Sequence, residues 1–446
     1  MANKHYEVAV VGGSISGTAL FYALSRYTDI KKIALVEKYS APSLLNSNAA
    51  SNSQTIHSGD IETNYTYEKA KDVKVSADML VNYAVKNGLI NNSVFEMQKM
   101  VLGVGDEEVE SIKQRFEKFV TLYPYLELFD KETLRSIEPN VVLDKNGNDR
   151  KENIVAMGTK GGVYTTADFG AMSVSFIENA KKEDKICDLY LNNEVLEIEK
   201  VGDRFFIKTN QNLTISADFI VVNAGAHSLY LAHKMGHGKD LACLAIAGSF
   251  YFAKKDVLKG KVYMVQNPKL PFAALHGDPD INYSFQTRFG PTALPLLKLE
   301  RYRGLKSFPE YLKTLNLDTI TIGVLLGLLK DKDIRNYVGR NILFEVPYIN
   351  KRLFVKDARK IVPSLKVEDI YYAKGFGGVR PQVIDKTNKV LKLGEASIDT
   401  KEGIIFNMTP SPGATSSLRN ALNDARKACE FLGKEFNEEK STLELM

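Results

Sequence analysis

Glu7-Val8-Ala9-Val10-Val11-Gly12-Gly13-Ser14-Ile15-Ser16-Gly17, completed by Val36-Glu37, is the stretch whose reading decides the fold. A run rich in β-branched residues enters a glycine turn. A helix-period stretch follows (Ala19, Leu20, Tyr22, Ala23, Leu24), and a second apolar run then closes on an acid. Strand, turn, helix, strand and carboxylate in that order read as a dinucleotide-binding unit. Gly12 permits the tight turn, Gly17 lets helix and strand pack closely, and the helix N-terminus offers free N–H groups to a pyrophosphate. Glu37 lies 20 residues past Gly17, the spacing at which a carboxylate meets a ribose hydroxyl. Gly13, Ser14, Ile15 and Ser16 complete the phosphate-facing turn, with Ser14, small and able to donate, in place of the middle glycine.

Working outward, 446 residues suit two interleaved domains better than one core. The net charge of +5 is mild, and acids intersperse the bases, which argues against a dedicated nucleic-acid binder. Three widely spaced cysteines, Cys187, Cys243 and Cys429, indicate neither a disulfide framework nor a zinc site and fit a reducing compartment. The N-terminus runs straight into the first strand, so no signal peptide is expected, and no apolar run reaches the ~18 residues of a membrane span.

Asn46 to Gly59 is rich in Ser and Asn and reads as a loop beside the phosphate site. From about Tyr67 to Leu134 the spacing predicts helices, with Val75, Met79, Leu80, Tyr83 and Ala84 on one face and Val109, Ile112, Phe116, Phe119 and Val120 on another. Asp168 caps a predicted helix carrying Met172, Phe176 and Ile177. Val195–Ile198 and Phe205–Thr209 alternate as hairpin strands, and Ala217–Gly225 is a buried strand ending in a glycine turn. Short strands are expected from Ile246 to about Leu393, interrupted by helix near Phe308 to Asn336, with Ile320 to Leu329 read as a buried helix. Ser416 to Leu432 is a clear helix.

Several motifs together resemble FAD-dependent oxidoreductases of the D-amino-acid-oxidase type, and within them most closely the malate:quinone oxidoreductases. They are Gly12 to Gly17 with Glu37; Asn52-Ser53-Gln54-Thr55-Ile56-His57-Ser58 with Glu62 and Asn64-Tyr65-Thr66; Asp168-Phe169-Gly170-Ala171; Val222-Asn223-Ala224-Gly225; Phe289-Gly290-Pro291; Gly378-Val379-Arg380-Pro381-Gln382; and Ser411-Pro412-Gly413-Ala414-Thr415-Ser416. Gln54 and Ile56 stand where the family usually has glycine.

The resemblance implies an α/β architecture: a Rossmann-like FAD-binding domain (1–75, 150–240 and 365–446) interleaved with a substrate domain (76–149 and 241–364) built on a mainly antiparallel sheet plus helices. The adenosine half of FAD is expected at the first glycine turn, Glu37 and Lys38. The ring is expected against Ser51, Asn52, Ser53, Gln54 and Thr55 and the turn Ser411 to Thr415, including Pro412, Gly413 and Ala414. Val195, Ala224, Gly225 and Gly378 complete the expected cofactor contacts. Oxidation of (S)-malate to oxaloacetate by hydride transfer to flavin, with electrons passed to membrane quinone, is the implied activity. Another 2-hydroxy acid, an amine, or flavin binding without turnover are the alternatives.

A dicarboxylate calls for a guanidinium fork, for which Arg380 is the first candidate and Arg288 the second. The hydroxyl proton calls for a base. His276, oriented by Asp278, is the expected base, and His57 the flavin or substrate neighbour. His233 and His237 are four apart but lack a third ligand, so no metal site is expected. No second nucleotide fingerprint is present, so the acceptor is expected to be small or external rather than a nicotinamide. A quinone acceptor implies a peripheral protein on the cytoplasmic side of the inner membrane. Lys351 to Lys360, with five basic residues against one acid, is a candidate lipid contact or a solvated strand edge.

Overall fold

The computed structural model describes residues 4–266, 274–392, 394–410 and 412–446. The strand Lys4–Val11 lies at the centre of a sheet, parallel to Lys32–Val36 on one side and Thr214–Val222 on the other, with Val8 opposite Ile33 and Phe219. Ile186–Tyr190 extends the parallel array beyond Lys32–Val36, and Ile404–Met408 extends it beyond Thr214–Val222. Both faces of such a sheet are covered, which is why these strands are near-continuous Val, Ile and Ala rather than alternating.

Helices Ile15–Tyr27, Tyr67–Lys86, Phe169–Ala180 and Ser417–Leu432 share one core with one face of this sheet, built around Leu20, Leu24, Tyr83, Phe176 and Leu422. The antiparallel strands Val195–Val201 and Arg204–Thr209 bring Ile198 and Ile207 into the opposite core. Asp168 caps Phe169–Ala180 through the amide of Ala171 at 3.0 Å, as its sequence predicts.

A second sheet runs in the order Ile370–Tyr372, Tyr251–Ala253, Thr287–Gly290, His276–Pro279, Lys261–Met264, Lys99–Val104, Ile154–Thr159, Glu127–Phe129. Only the pairing of Lys261–Met264 with Lys99–Val104 is parallel. Leu241–Ala247, Val379–Asp385 and two short neighbours form a further antiparallel sheet.

Four sequence expectations are corrected here. Strands Val94–Glu96 and Lys99–Val104 interrupt the stretch read as helical: the first is only three residues long, and the second, buried on both faces, leaves no period-2 signal. Ile154–Thr159, Ile370–Tyr372 and Val379–Asp385 pair outside the nucleotide-type sheet. Helices continue past Asn336 as Lys332–Leu343 and Asn350–Ala358, so Lys351 to Lys360 is mostly helix, not strand edge, and buries Phe354, Val355 and Ala358. Thr319–Lys330 is not a buried helix: Leu326 is 55% exposed, with Ile322 and Leu329 exposed beside it. Among the described residues no single helix is long and apolar enough to cross a membrane, although Phe308–Leu315 and Thr319–Lys330 pass that test as a pair bent by 94°.

Candidate active site

One cavity of about 340 Å³ joins the two ends of the chain. Gly12, Ser14, Ile15 and Ser16 line it with Glu37 and Lys38, and Pro412, Gly413 and Ala414 line it from the C-terminal turn. Ser51, Asn52, Ser53, Thr55, Val195, Ala224, Gly225, Gly378, Arg380 and His57 fill in the walls. Ser411 lies outside the described residues.

Three helices start at or beside this cavity without a side-chain cap: Ile15–Tyr27 after Ser14, Ala226–Lys234 after Gly225, and Ser417–Leu432 after Ser416. These N-termini turn the positive ends of their helix dipoles toward the cavity, the first amide of Ile15–Tyr27 being taken by Ser47 Oγ at 3.1 Å. A side chain on Gly17 would put its Cβ 1.8 Å from the carbonyl oxygen of Gly12, and one on Gly413 would meet the oxygen of Thr409 at 2.5 Å. Close backbone approach at both turns fits a long ligand with a pyrophosphate between two ring systems.

Gly13, Gly17, Gln54 and Thr415 stand behind the wall rather than on it. Gly13 donates its amide to Glu37 at 2.6 Å. Burial raises the Glu37 carboxyl, and its bonds from Gly13 and Tyr39 oppose that rise. Thr415 accepts the amide of His57 at 3.1 Å, tying the two ends of the site together.

Gln54 explains how the loop does without the usual glycine. It adopts φ 52°, a left-handed conformation that L side chains reach at a cost. Its side chain donates to Asp280 at 3.0 Å and accepts the amide of Ile281 at 3.1 Å. Gln54→Ala keeps the strain and loses both bonds, so we expect about 2 kcal/mol of destabilisation. Gln54→Gly, which relieves the strain, is expected to cost less, read as the thermal unfolding midpoint. A glycine variant less stable than the alanine one would contradict this account.

The loop is clamped further by groups the sequence did not single out. Lys99 and Asp60, both fully buried, pair at 2.7 Å, and Tyr125 donates to the same carboxylate. Arg115 donates to the carbonyls of Glu62 and Tyr65 while lying 3.7 Å over Phe119.

His57 and Arg380 are on the cavity wall; His276, Asp278 and Arg288 are not. Strand register explains the second group. Asp278 lies directly opposite Arg288 on the neighbouring strand, and Lys261 reaches it from the other side. Arg288, fully buried, is consumed by Asp280 at 2.7 Å and Asp278 at 3.2 Å. His276 is stacked on Tyr263 with centroids 4.2 Å apart. Burial drives its ring to about 3, with Asp278 opposing only in part, so it stays neutral.

His57 is placed differently. Its Nδ1 lies 2.6 Å from Glu62 Oε1. Burial alone would raise the Glu62 carboxyl, but the His57 hydrogen bond overrides it and holds the group at about 2. The bond to Glu62 engages Nδ1 and leaves Nε2 as the ring nitrogen turned away from that carboxylate. Arg380 has no carboxylate partner among the described residues, and burial lowers its pKa. His227, unremarked in the sequence, also lines the cavity and meets Glu310 at 3.2 Å.

The family model described as malate:quinone oxidoreductase (Mqo) matches residues 4–440. A probable malate:quinone oxidoreductase of Campylobacter jejuni is 58% identical over 100% of both chains. One from Helicobacter pylori is 50% identical, covering 98% of this chain and 97% of that one. Among solved structures, the L-alpha-glycerophosphate oxidase of Mycoplasma pneumoniae with FAD bound superposes with a TM-score of 0.64 at 18% identity, covering 97% of this chain and 96% of that one. The fold expected from the first glycine turn is thus met along the whole length, and with a family match spanning nearly every residue this chain belongs to the malate:quinone oxidoreductases.

Proposed function

We propose that the cavity holds FAD, that (S)-malate is oxidised to oxaloacetate beside it, and that a quinone takes the electrons. The observation that carries the residue roles is Arg380: a cation without a carboxylate among the described residues, on the same wall as a histidine whose other nitrogen is already held.

Ser14 to Ser16 and the Ile15–Tyr27 N-terminus would hold the pyrophosphate, and Glu37 the ribose. Pro412 to Ala414 and the Ser417–Leu432 N-terminus would flank the ring. Bound FAD supplies a two-electron acceptor for the substrate C–H bond. Arg380 grips a malate carboxylate with two parallel N–H donors. His57 takes the hydroxyl proton on the nitrogen that Glu62 leaves free, and Glu62 steadies the imidazolium that results. The parallel-sheet unit carries the cofactor and the antiparallel sheets roof the substrate. His276→Gln is expected to leave the rate of flavin reduction within about threefold of wild type, since that ring stacks on Tyr263 and meets Asp278 at 3.4 Å away from the cavity wall. A hundredfold loss would return the base to His276.

The reading includes bilayer contact through residues 297–349. Leu305 is 76% exposed, Leu326 55% and Tyr348 94%, with Lys298, Arg303, Lys306 and Lys313 among them. Apolar side chains framed by bases suit an anionic lipid surface. The test is malate-dependent reduction of a vesicle-embedded quinone against a water-soluble analogue. Leu326→Glu is expected to slow the first by about tenfold relative to the second. Equal rates on both would remove bilayer contact from the reading, and absence of malate-dependent reduction with either acceptor would remove the activity.

A further inference from the structure

A second cavity, of about 300 Å³, lies beside the first. Leu44, Leu45, Asn46, Ser51, Gly378 and Val379 line both. The partition is thin because backbone packs on backbone there. A Cβ on Gly378 would stand 2.7 Å from Asn46 Oδ1 and 3.0 Å from the carbonyl oxygen of Ser51, and one on Gly377 would stand 1.7 Å from that of Gly248.

The opposite wall is Leu299 to Arg303, the segment that leads into the exposed apolar helices. Tyr302 is 45% exposed, and Leu305, two residues beyond Arg303, is the 76%-exposed leucine already described. Tyr302 is fixed by donating to the carbonyl of Phe376 at 2.7 Å. Arg301 is nearly buried, paired with Glu345 at 2.9 Å and held by Ser249 and the carbonyl of Gly248. With both terminal nitrogens engaged and its charge offset by Glu345, Arg301 anchors this wall of the cavity.

We propose that this second cavity seats the ring of the quinone, with its apolar tail leaving past Tyr302 toward Leu305. The proposal rests on the function proposed above. It adds where the acceptor binds: not in the malate position, but behind the wall formed by Asn46, Ser51 and Gly378. The balance closes without another reactant. Malate gives up the two electrons and the hydrogen of its C–H bond together with the proton of its hydroxyl. The quinone takes two electrons and two protons, and its two C=O groups become C–OH. Arg301 is then a positioning residue that holds the Leu299 to Arg303 wall against the quinone ring, and substrate and acceptor occupy different sites on the two sides of one partition.

Two measurements on the FAD-loaded full chain test this. In the first, stopped flow follows anaerobic reduction of the flavin by malate and then its reoxidation by a short-chain soluble ubiquinone. Ala50→Phe, which intrudes on the second cavity alone, and Arg301→Gln are each expected to lower reoxidation by at least about tenfold relative to malate reduction in the same preparation. Reoxidation at the wild-type ratio in both variants overturns the proposal. In the second, the wild-type protein is irradiated with an azido-quinone, and label on residues 299–303, displaced by unlabelled quinone, supports it. Label confined to the His57 and Arg380 wall and displaced by malate overturns it. Wild-type protein that malate does not bleach refutes the underlying function instead, so the two failures are distinguishable.

Discussion

Arg380→Lys raises the KM for malate by about ten- to a hundredfold while leaving FAD content at the wild-type stoichiometry. The reasoning is geometric. A guanidinium offers a carboxylate two parallel N–H donors, whereas an ammonium offers a point charge, and the difference amounts to roughly 1.4–3 kcal/mol. Desolvation already lowers the pKa of Arg380 within the chain, and no carboxylate among the described residues offsets that cost. A bound dicarboxylate does. The measurement is steady-state malate titration with a soluble quinone at saturating acceptor, alongside the flavin-to-protein absorbance ratio. An unchanged KM would place the carboxylate elsewhere; a loss of FAD would make Arg380 a cofactor residue.

His57→Gln lowers the rate of flavin reduction by malate by about 10² to 10⁴, the range expected when a positioned base is lost. Glutamine retains a polar group of similar reach but cannot accept the proton. Glu62 sharpens the test. Its Oε1 holds His57 Nδ1 at 2.6 Å, so Glu62→Gln should also slow reduction, by less, since the base survives with its orientation weakened. The sign of the acid-stability effect follows from the same bond. Glu62 is held near 2, below the ordinary carboxylate value. It therefore stabilises the fold above that ordinary value, and its contribution is lost as pH falls toward about 2. Wild-type reduction rates in both variants would dismiss the dyad.

These two residues show what the sequence made legible. The first glycine turn and Glu37 could be read directly because strand, turn and helix are local, and the helix cap at Asp168 is likewise a short-range signal. Arg380 stood out through the glycines before it. Arg288 stood out by its place just before Phe289-Gly290-Pro291 and is a different object: its partners, Asp278 and Asp280, lie on and just past the neighbouring strand, and strand register is not written in local spacing. His276 and Asp278, two apart on one strand, read as a base with its orienter, and they do meet at 3.4 Å, but register also gives Asp278 to Lys261 and Arg288 and sets the pair away from the cavity wall. Glu62, the partner of His57 Nδ1, is five residues away within an irregular loop, where no periodicity announces it. Gln54 replaced an expected glycine, and only the structure shows that bonds to Asp280 and Ile281 offset a left-handed backbone. Thr319–Lys330 was legible as an apolar helix, yet apolarity alone does not say whether protein or lipid covers it.

The central claim is that one cavity, gripped between the amino-terminal glycine turn and the Pro412-Gly413-Ala414 turn, brings FAD and malate together. Anaerobic titration of the purified protein with (S)-malate, followed through the flavin absorbance near 450 nm, tests it most directly. The expected result is a yellow protein whose colour is bleached by (S)-malate and restored by quinone. Colourless protein that takes up no added FAD, or bound flavin that (S)-malate leaves oxidised, would contradict it.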